Sequence, residues 1–490
     1  MSSRTASIRD AIKQLPQLAA QKATETPDLR SIFIVRDHEG AIDPNREIVV
    51  GDRGVGKSFW SSVLQDSASR TAVAEFYPKL QLKNVNVSLG FSEDISKNEY
   101  PTSRVLRGLV SNNSEPEDIW RAVILNAFGG KHLPDAWSNL NWQDRANWIR
   151  DNAEEESRIL NQSHEELVKT GKRHLLIFDA LDRLGQDWKS IKMLAKGLLM
   201  NALDMQAYSN FCIKIFLRPD MDSDSDIWSI RDSSKLRQRM VHLVWEAKSL
   251  YGFFWYWLIH NPDSREDFID LVFEATEERI EPNKIEEIIE IPKFLIEDEI
   301  IQKKIFSTIS GEMMGAGSKK GHPYTWIPKH LADAKGHVSL RSFIVALREA
   351  ARATQSTAAT ALTYEPIKKG VQEASLIRVS QLKEDYGWIE YVLTPLYGLQ
   401  TPNTINEFIS RWKQEETISK IIESLEEHSY IIPVQFETQR PDTNNNYLAL
   451  IRALKTIGVA EQRPDERLNI PDLFQVASGM LRKGGVPPVR

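Results

Sequence analysis

The stretch from Arg46 to Trp60, REIVVGDRGVGKSFW, constrains this chain more than any other, because it reads as a β-strand entering a glycine-rich loop and then a helix. Gly51-Asp52-Arg53-Gly54-Val55-Gly56-Lys57-Ser58 fits the spacing G-x-x-x-x-G-K-[ST], in which each fixed residue type has a task. The glycines let the backbone curl so that successive N–H groups face a phosphate, and the helix that follows presents the positive end of its dipole to the same anion. Lys57 would reach the β- and γ-phosphates, and Ser58 would place its hydroxyl on Mg²⁺, a hard cation that prefers oxygen ligands. The apolar run Ile48-Val49-Val50 before the loop and the helix-compatible SFWSSVLQD after it supply the context that separates such a motif from a chance turn.

A chain of 490 residues is too long for one ordinary core and implies about two to four domains. Its 41% hydrophobic and 27% charged content is that of a soluble globular protein, and it has no apolar run of about 18 residues. The most apolar stretch, Leu250 to Ile259, is too short to span a bilayer, and its aromatic residues surround nearly a whole turn, which predicts a buried helix. The N-terminus reads as a short amphipathic helix, SIRDAIKQLPQLAAQ, without the continuous apolar region of a signal peptide, so a cytoplasmic location is expected. One cysteine, Cys212, excludes an internal disulfide and a cysteine metal cluster. A net charge of −6 gives no global sign of nucleic-acid binding and leaves that role to a local patch.

Three further stretches predict buried strands. Lys83 to Leu89 is β-branched and alternating. His174 to Leu184, HLLIFDALDRL, delivers Asp179 and Asp182 at the C-terminal edge of a strand, where ligands bind in open α/β sheets. Asp179 is placed to hold the Mg²⁺ with Ser58, and Asp182 either orients the attacking water or caps the following helix. Phe211 to Leu217 ends in Arg218-Pro219-Asp220, which brings a guanidinium to the same edge. Arg218 can contact γ-phosphate oxygens in a way that disappears on hydrolysis; a salt bridge with Asp220 or the acidic MDSDSD loop is the alternative. Val241 to Trp245 predicts a short final strand. Between these strands, helices are expected over Glu115 to Phe128 and from Trp142 through Val168, with Trp137, Trp142 and Trp148 as packing anchors.

GDRGVGKS, LLIFDALDR and IFLRPD, followed by a short strand and a long helix, resemble the P-loop ATPases related to AAA+, in particular the STAND and KAP groups. Asp179-Ala180-Leu181-Asp182 matches the STAND pattern and Leu181-Asp182-Arg183 the KAP ending, whereas Arg183 and Ala180 each depart from one of the two. The resemblance covers Arg46 to His260 well. It implies an ATPase that uses ATP and Mg²⁺, with Lys57, Asp179, Asp182 and Arg218 in catalysis, and Gly51, Asp52, Arg53, Gly54, Val55, Gly56, Lys57, Ser58 and Phe59 around the nucleotide. The helical stretches from Ser264 onward, including IEEIIEIPKFLIEDEIIQKKIFSTI, are similar to the helical lid of such ATPases, and Arg341 stands where lids often present a second phosphate-sensing arginine.

Toward the C-terminus, amphipathic helices run between Tyr364 and Gln435, and ETQRPDTNNN reads as a linker or hairpin. NYLALIRALKTIGVAEQRPDERLNIPDLF then has the outline of a winged helix, a helix ending at Gly458 and a hairpin turning at Arg463-Pro464-Asp465-Glu466. Seven basic against four acidic residues from Tyr447 to Arg490 leave DNA contact and partner binding both open. The expected architecture is therefore a parallel-sheet α/β P-loop core over 1–262, a helical lid over 263–360 and a helical, winged-helix-like domain over 361–490. No Glu directly follows Asp179, which predicts slow turnover and a switch-like role, and the resemblance implies that the switch assembles or controls a separate effector protein, as in bacterial signalling and phage defence, with a homo-oligomer as a further expectation. A DNA-binding loader and an ATP-stabilised scaffold without hydrolysis are the alternatives.

Overall fold

The computed structural model describes residues 3–16, 26–93, 98–185, 187–281, 283–285, 288–317, 320–427, 436–482 and 486–488. It divides into two compact units, Gln21–Leu243 and Met1–Ala20 together with Val244–Arg490. Parts of three sequence expectations lie outside the described residues: the end of the N-terminal stretch over 17–21, residues 286–287 of the lid stretch, and the tail of the helical run over 428–435. Among the described residues no helix is long and apolar enough to cross a membrane.

The first unit is built on a five-stranded parallel sheet. Its strands are β1 (Ile48–Val50), β2 (Val85–Phe91), β3 (Arg173–Phe178), β4 (Phe211–Leu217) and β5 (Val241–His242), in the spatial order β2-β3-β4-β1-β5. All seven residues of β4 are buried, as are Leu175 to Phe178 and all of β1. That explains why these strands read as largely apolar runs rather than alternations, with the buried Lys214 of β4 donating to the Asp43 and Arg46 carbonyls. Because every pair is parallel, Gly51, Asp179 and Arg218, which follow β1, β3 and β4, emerge at one edge. Val50 pairs with Leu217 and Phe178 with Ile215. Helices α1 (Lys57–Gln65), α2 (Pro116–Phe128) and α3 (Trp188–Met205) cover the sheet, and the Trp120 indole of α2 donates to the Leu194 carbonyl of α3 at 2.7 Å.

Pro116 opens α2, where its missing N–H would have no partner in any case, and Gly129-Gly130 follow its end, with Gly130 in the left-handed region at φ +53°. The Trp142 to Val168 pattern splits into Trp142–Asp151 and Ala153–Thr170, broken at Asn152, which takes a non-helical conformation. Of the three tryptophans Trp137, Trp142 and Trp148, Trp137 is buried, Trp148 packs edge-on against it at 5.4 Å, and Arg145 lies over the rings of Trp137 and Trp142. Cys212 is buried in β4 as a free thiol.

The second unit is mainly helical. Helix α4 (Ala247–His260) buries Tyr251, Phe254, Trp255 and Tyr256, with Tyr251 stacked on Tyr324 at 4.2 Å and Trp255 on Phe268 at 5.4 Å. One expectation fails here. IEEIIEIPKFLIEDEIIQKKIFSTI is not helical throughout, because Asn283–Ile285 and Ile288–Glu290 pair as an antiparallel hairpin before the helices Lys293–Glu297 and Glu299–Ser310. The cluster of β-branched isoleucines favours extended backbone, and Pro292 bars helix through the residue before it.

Helices α5 (Leu340–Ala353) and α6 (Tyr364–Asp385) pack together, and α5 is capped by Ser339, whose side chain accepts from Ser342 N. The ETQRPDTNNN segment is neither hairpin nor open linker throughout. Asn444 to Asn446 begin helix α7 (Asn444–Thr456), where the Asn446 amide donates to the carbonyls of Glu437, Arg440 and Pro441. After Gly458, at φ +75°, Glu461–Gln462 and Leu468–Asn469 form the antiparallel hairpin expected of the wing, and the short helix Asp472–Gln475 follows.

Candidate phosphate-binding site

The loop after β1 is shaped by its glycines. Gly54 and Gly56 adopt φ values of +84° and +110°, a region that residues with a Cβ rarely enter, so the backbone reverses sharply and α1 starts at Lys57. At Gly51 the constraint is space, since a Cβ there would lie 2.8 Å from Val55 Cγ2 and 3.3 Å from Leu243 Cβ. The strand ladder continues into the loop, with Gly51 N–H donating to the Leu217 carbonyl and Leu243 N–H to the Val50 carbonyl. Lys57 Nζ turns back over the loop and donates to the carbonyls of Gly51 at 2.5 Å and Asp52 at 3.0 Å. Its pKa is lowered by desolvation, against the pull of Asp179, Asp182 and Asp52.

Asp179 is buried at the end of β3, where its N–H still pairs with the Phe91 carbonyl. Desolvation raises its pKa, while a hydrogen bond from the Ser58 hydroxyl, another from Ala180 N–H at 2.9 Å and the charge of Lys57 oppose that rise. The Ser58–Asp179 contact joins the first residues of α1 to the end of β3 with two hard oxygen donors. This donor set fits Mg²⁺, for which Ser58 and Asp179 would be the protein ligands.

Ala180 takes left-handed backbone angles, φ +56° and ψ +38°, and starts a short turn over Leu181–Arg183. That turn holds Asp182 with its side chain 31% exposed, 3.6 Å from Arg218 Nη1. Asp182 does not cap the next helix; Asp187 does, accepting from Ser190 N–H at 2.8 Å.

Arg218 is buried beside β1 and β3 and engaged by carboxylates. Its Nε and Nη2 donate to the two Asp220 oxygens at 3.2 and 3.1 Å, and the Asp220 side chain is 1% exposed. The acidic loop that follows pairs elsewhere: Lys192 of α3 contacts Asp224 and Asp226, and Trp188 donates to Asp224 at 2.9 Å. The sequence-designated residues thus fall into a cluster of Lys57, Ser58, Asp179, Asp182 and Arg218, lined by Gly51, Asp52, Arg53, Gly54, Val55 and Gly56. Phe59 lies one residue along α1 with its ring against Trp60 at 5.4 Å. Arg341 lies in the first turn of α5, in the other compact unit.

Sequence reasoning missed His38 and the shape of Asp220's contact. His38 is fully buried, and its Nδ1 accepts from the Trp60 indole at 3.2 Å, which fastens the 36–42 segment to α1 beside the loop. Tyr77 OH donates to the carbonyl of Val35, just before that segment, at 2.8 Å. Neither contact has a local sequence signal.

No protein-family model matches this sequence, and no curated protein matches it. Among solved structures, the chain is similar to the ORC2 protein of Aeropyrum pernix in its ADPNP–ADP complexes. There the identity is 14% over 91% of this chain and 90% of that one, with a TM-score of 0.39. It is also similar to Cdc6p from Pyrobaculum aerophilum, at 12% identity over 87% of this chain and 83% of that one, with a TM-score of 0.27.

Proposed function

We propose that the chain is a Mg²⁺-dependent ATPase of the AAA+/STAND type, acting as a nucleotide-controlled switch on a separate effector protein. The observation that carries the nucleotide reading is the meeting of Lys57, Ser58, Asp179 and Arg218 at the C-terminal edge of three adjacent parallel strands, around a loop that only glycines permit. In this reading the loop N–H groups and Lys57 hold the β- and γ-phosphates, and Ser58 and Asp179 hold the metal. Bound Mg²⁺ would neutralise charge that develops on the phosphate oxygens. No acidic residue directly follows Asp179, which suits slow turnover and a switching role.

Control of an effector, and a place in phage defence, rest on the resemblance of GDRGVGKS, LLIFDALDR and IFLRPD to signalling ATPases. The helix α7 and the hairpin after it favour one other reading, a loader that contacts DNA through a winged helix. DNA-stimulated hydrolysis and salt-dependent DNA binding would support the loader over the switch.

Lys57→Ala tests the site. It removes the charge facing the phosphates and should abolish ATP binding while leaving the circular dichroism spectrum unchanged. Unaltered ATP affinity in a folded variant would refute the assignment. Scattering of the wild-type protein with ADP and with a non-hydrolysable ATP analogue tests the switch, and identical size and shape in both states would refute it.

A further inference from the structure

Two carboxylates at the ends of β3 and β4, Asp182 and Asp220, are placed unequally around the Arg218 guanidinium. Asp220 grips the Nε and Nη2 side of Arg218 through two hydrogen bonds and is almost completely buried, with a side chain 1% exposed. Asp182 faces Nη1 at 3.6 Å, an ion-pair distance rather than a hydrogen bond, and its side chain is 31% exposed. A buried bidentate pair is hard to break, because each charge would be left without a partner away from water. A partly solvated pair at longer range is held weakly. Asp220 is therefore the fixed partner and Asp182 the one that can leave.

The backbone supports that division. Asp220 is in the first turn of the Pro219–Ser223 helix, directly joined to β4, whereas Asp182 is on the short turn entered through the left-handed Ala180. Asp182 also acts electrostatically on both Lys57 and Asp179, so it stands within reach of the groups assigned to the phosphates and the metal.

We propose that Asp182 and the terminal phosphate of a nucleoside triphosphate exchange for the same Nη1 end of Arg218, while Asp220 holds the other side and aims it. Without a terminal phosphate, the Asp182 carboxylate stands in for it. When the triphosphate binds, the phosphate displaces Asp182, and loss of that phosphate lets Asp182 return. This rests on the reading of the site as a nucleoside-triphosphate site and adds how triphosphate is told from diphosphate. The two acids then have opposite roles: Asp182 competes with the phosphate, and Asp220 is a positioning residue that supports its capture.

The test is the ratio of affinities for a non-hydrolysable ATP analogue and for ADP, measured by titration with Mg²⁺ present. Asp182→Asn should raise the preference for the analogue by up to about fivefold, the range expected for releasing a partly exposed ion pair. Asp220→Asn should lower that preference. In an Arg218→Ala background, Asp182→Asn should leave the ratio unchanged, because the exchange runs through the guanidinium. If Asp220→Asn does not fold, the Asp182→Asn measurements with and without Arg218 still decide the matter.

A flat ratio in Asp182→Asn overturns the exchange. An equal rise in the Arg218→Ala background overturns it as well, since Asp182 would then repel the phosphate directly. Failure of the wild-type protein to bind either nucleotide overturns the site reading and the exchange with it. Binding that Lys57→Ala abolishes, together with a flat ratio in Asp182→Asn, overturns the exchange alone.

Discussion

The burial of Asp179 sets the stability of the fold against the metal-holding role proposed for it. Burial raises the pKa of its carboxyl, and the Ser58 hydroxyl, the Ala180 N–H and the Lys57 charge offset only part of that rise. A buried acid with a raised folded-state pKa destabilises the fold wherever it must ionise, above that pKa. The penalty fades as pH falls toward the unfolded value, where both states are protonated. Asp179→Asn keeps an acceptor for Ala180 and Ser58 without the charge. In the absence of nucleotide it should melt higher than wild type at pH 8, by roughly 2–4 °C for each kcal/mol recovered in a unit of this size. The gain should shrink on acidification, and calorimetry across pH would read it; a variant less stable at every pH would show that hydrogen bonding by the carboxylate outweighs its burial. Asp179 and Ser58 were legible because each is tied to a contiguous apolar or glycine-rich motif. The Arg218–Asp220 pair was visible only as one of two options, since sequence adjacency does not reveal whether a guanidinium faces its neighbour or a ligand. The His38–Trp60 bond was not legible, because it joins residues 22 apart without a shared pattern.

At the scale of elements, the parallel strands were readable because burial on both faces demands largely apolar runs, as in Phe211 to Leu217, where the buried Lys214 is accommodated by donating to the Asp43 and Arg46 carbonyls. The pairing of Asn283–Ile285 with Ile288–Glu290 was not, since a short isoleucine-rich run suits helix and strand alike until its partner is known. The β2–β3 pairing contains its own pH response. His174 Nε2 lies 2.8 Å from Ser88 Oγ across the two strands, its ring sits against Phe128 at 5.0 Å, and burial pushes its pKa down to about 4. The folded state therefore refuses a proton that the unfolded chain accepts near pH 6.5. Stability is lost as pH falls from about 6.5 to about 4, by up to roughly 3 kcal/mol. His174→Gln can still bond Ser88 but cannot take that charge, so its urea midpoint should fall less than that of wild type between pH 7 and pH 4.5. Parallel decline of the two proteins would place the acid sensitivity elsewhere.

At the scale of the whole molecule, the second compact unit is discontinuous in sequence, with the N-terminal helix Ser3–Lys13 packed among segments that follow residue 244. Reading the chain in order could not reveal this, because the helix's amphipathic pattern states that one face is covered without naming what covers it. The join is specific. Arg9 is buried and donates to the carbonyls of Ser356, Ala358, Thr360 and Ala361, and the Trp257 indole of α4 donates to the Ala11 carbonyl at 2.8 Å. Arg9→Ala would strip several carbonyls of a charged donor in one step, an effect of about 2–4 kcal/mol on the stability of that unit. The proposed nucleotide site lies within Gln21–Leu243, so the loss should be confined to one unit. Hydrogen exchange on the Arg9→Ala variant should show weakened protection in 3–16, α4 and the 354–363 loop, while β1 to β4 stay protected and ATP affinity remains within about twofold of wild type. If protection falls equally in the sheet, the two units unfold as one. If it falls nowhere, the four carbonyls are satisfied as well by water, and the N-terminal helix is held by its apolar face, Ile8, Ala11 and Ile12, alone.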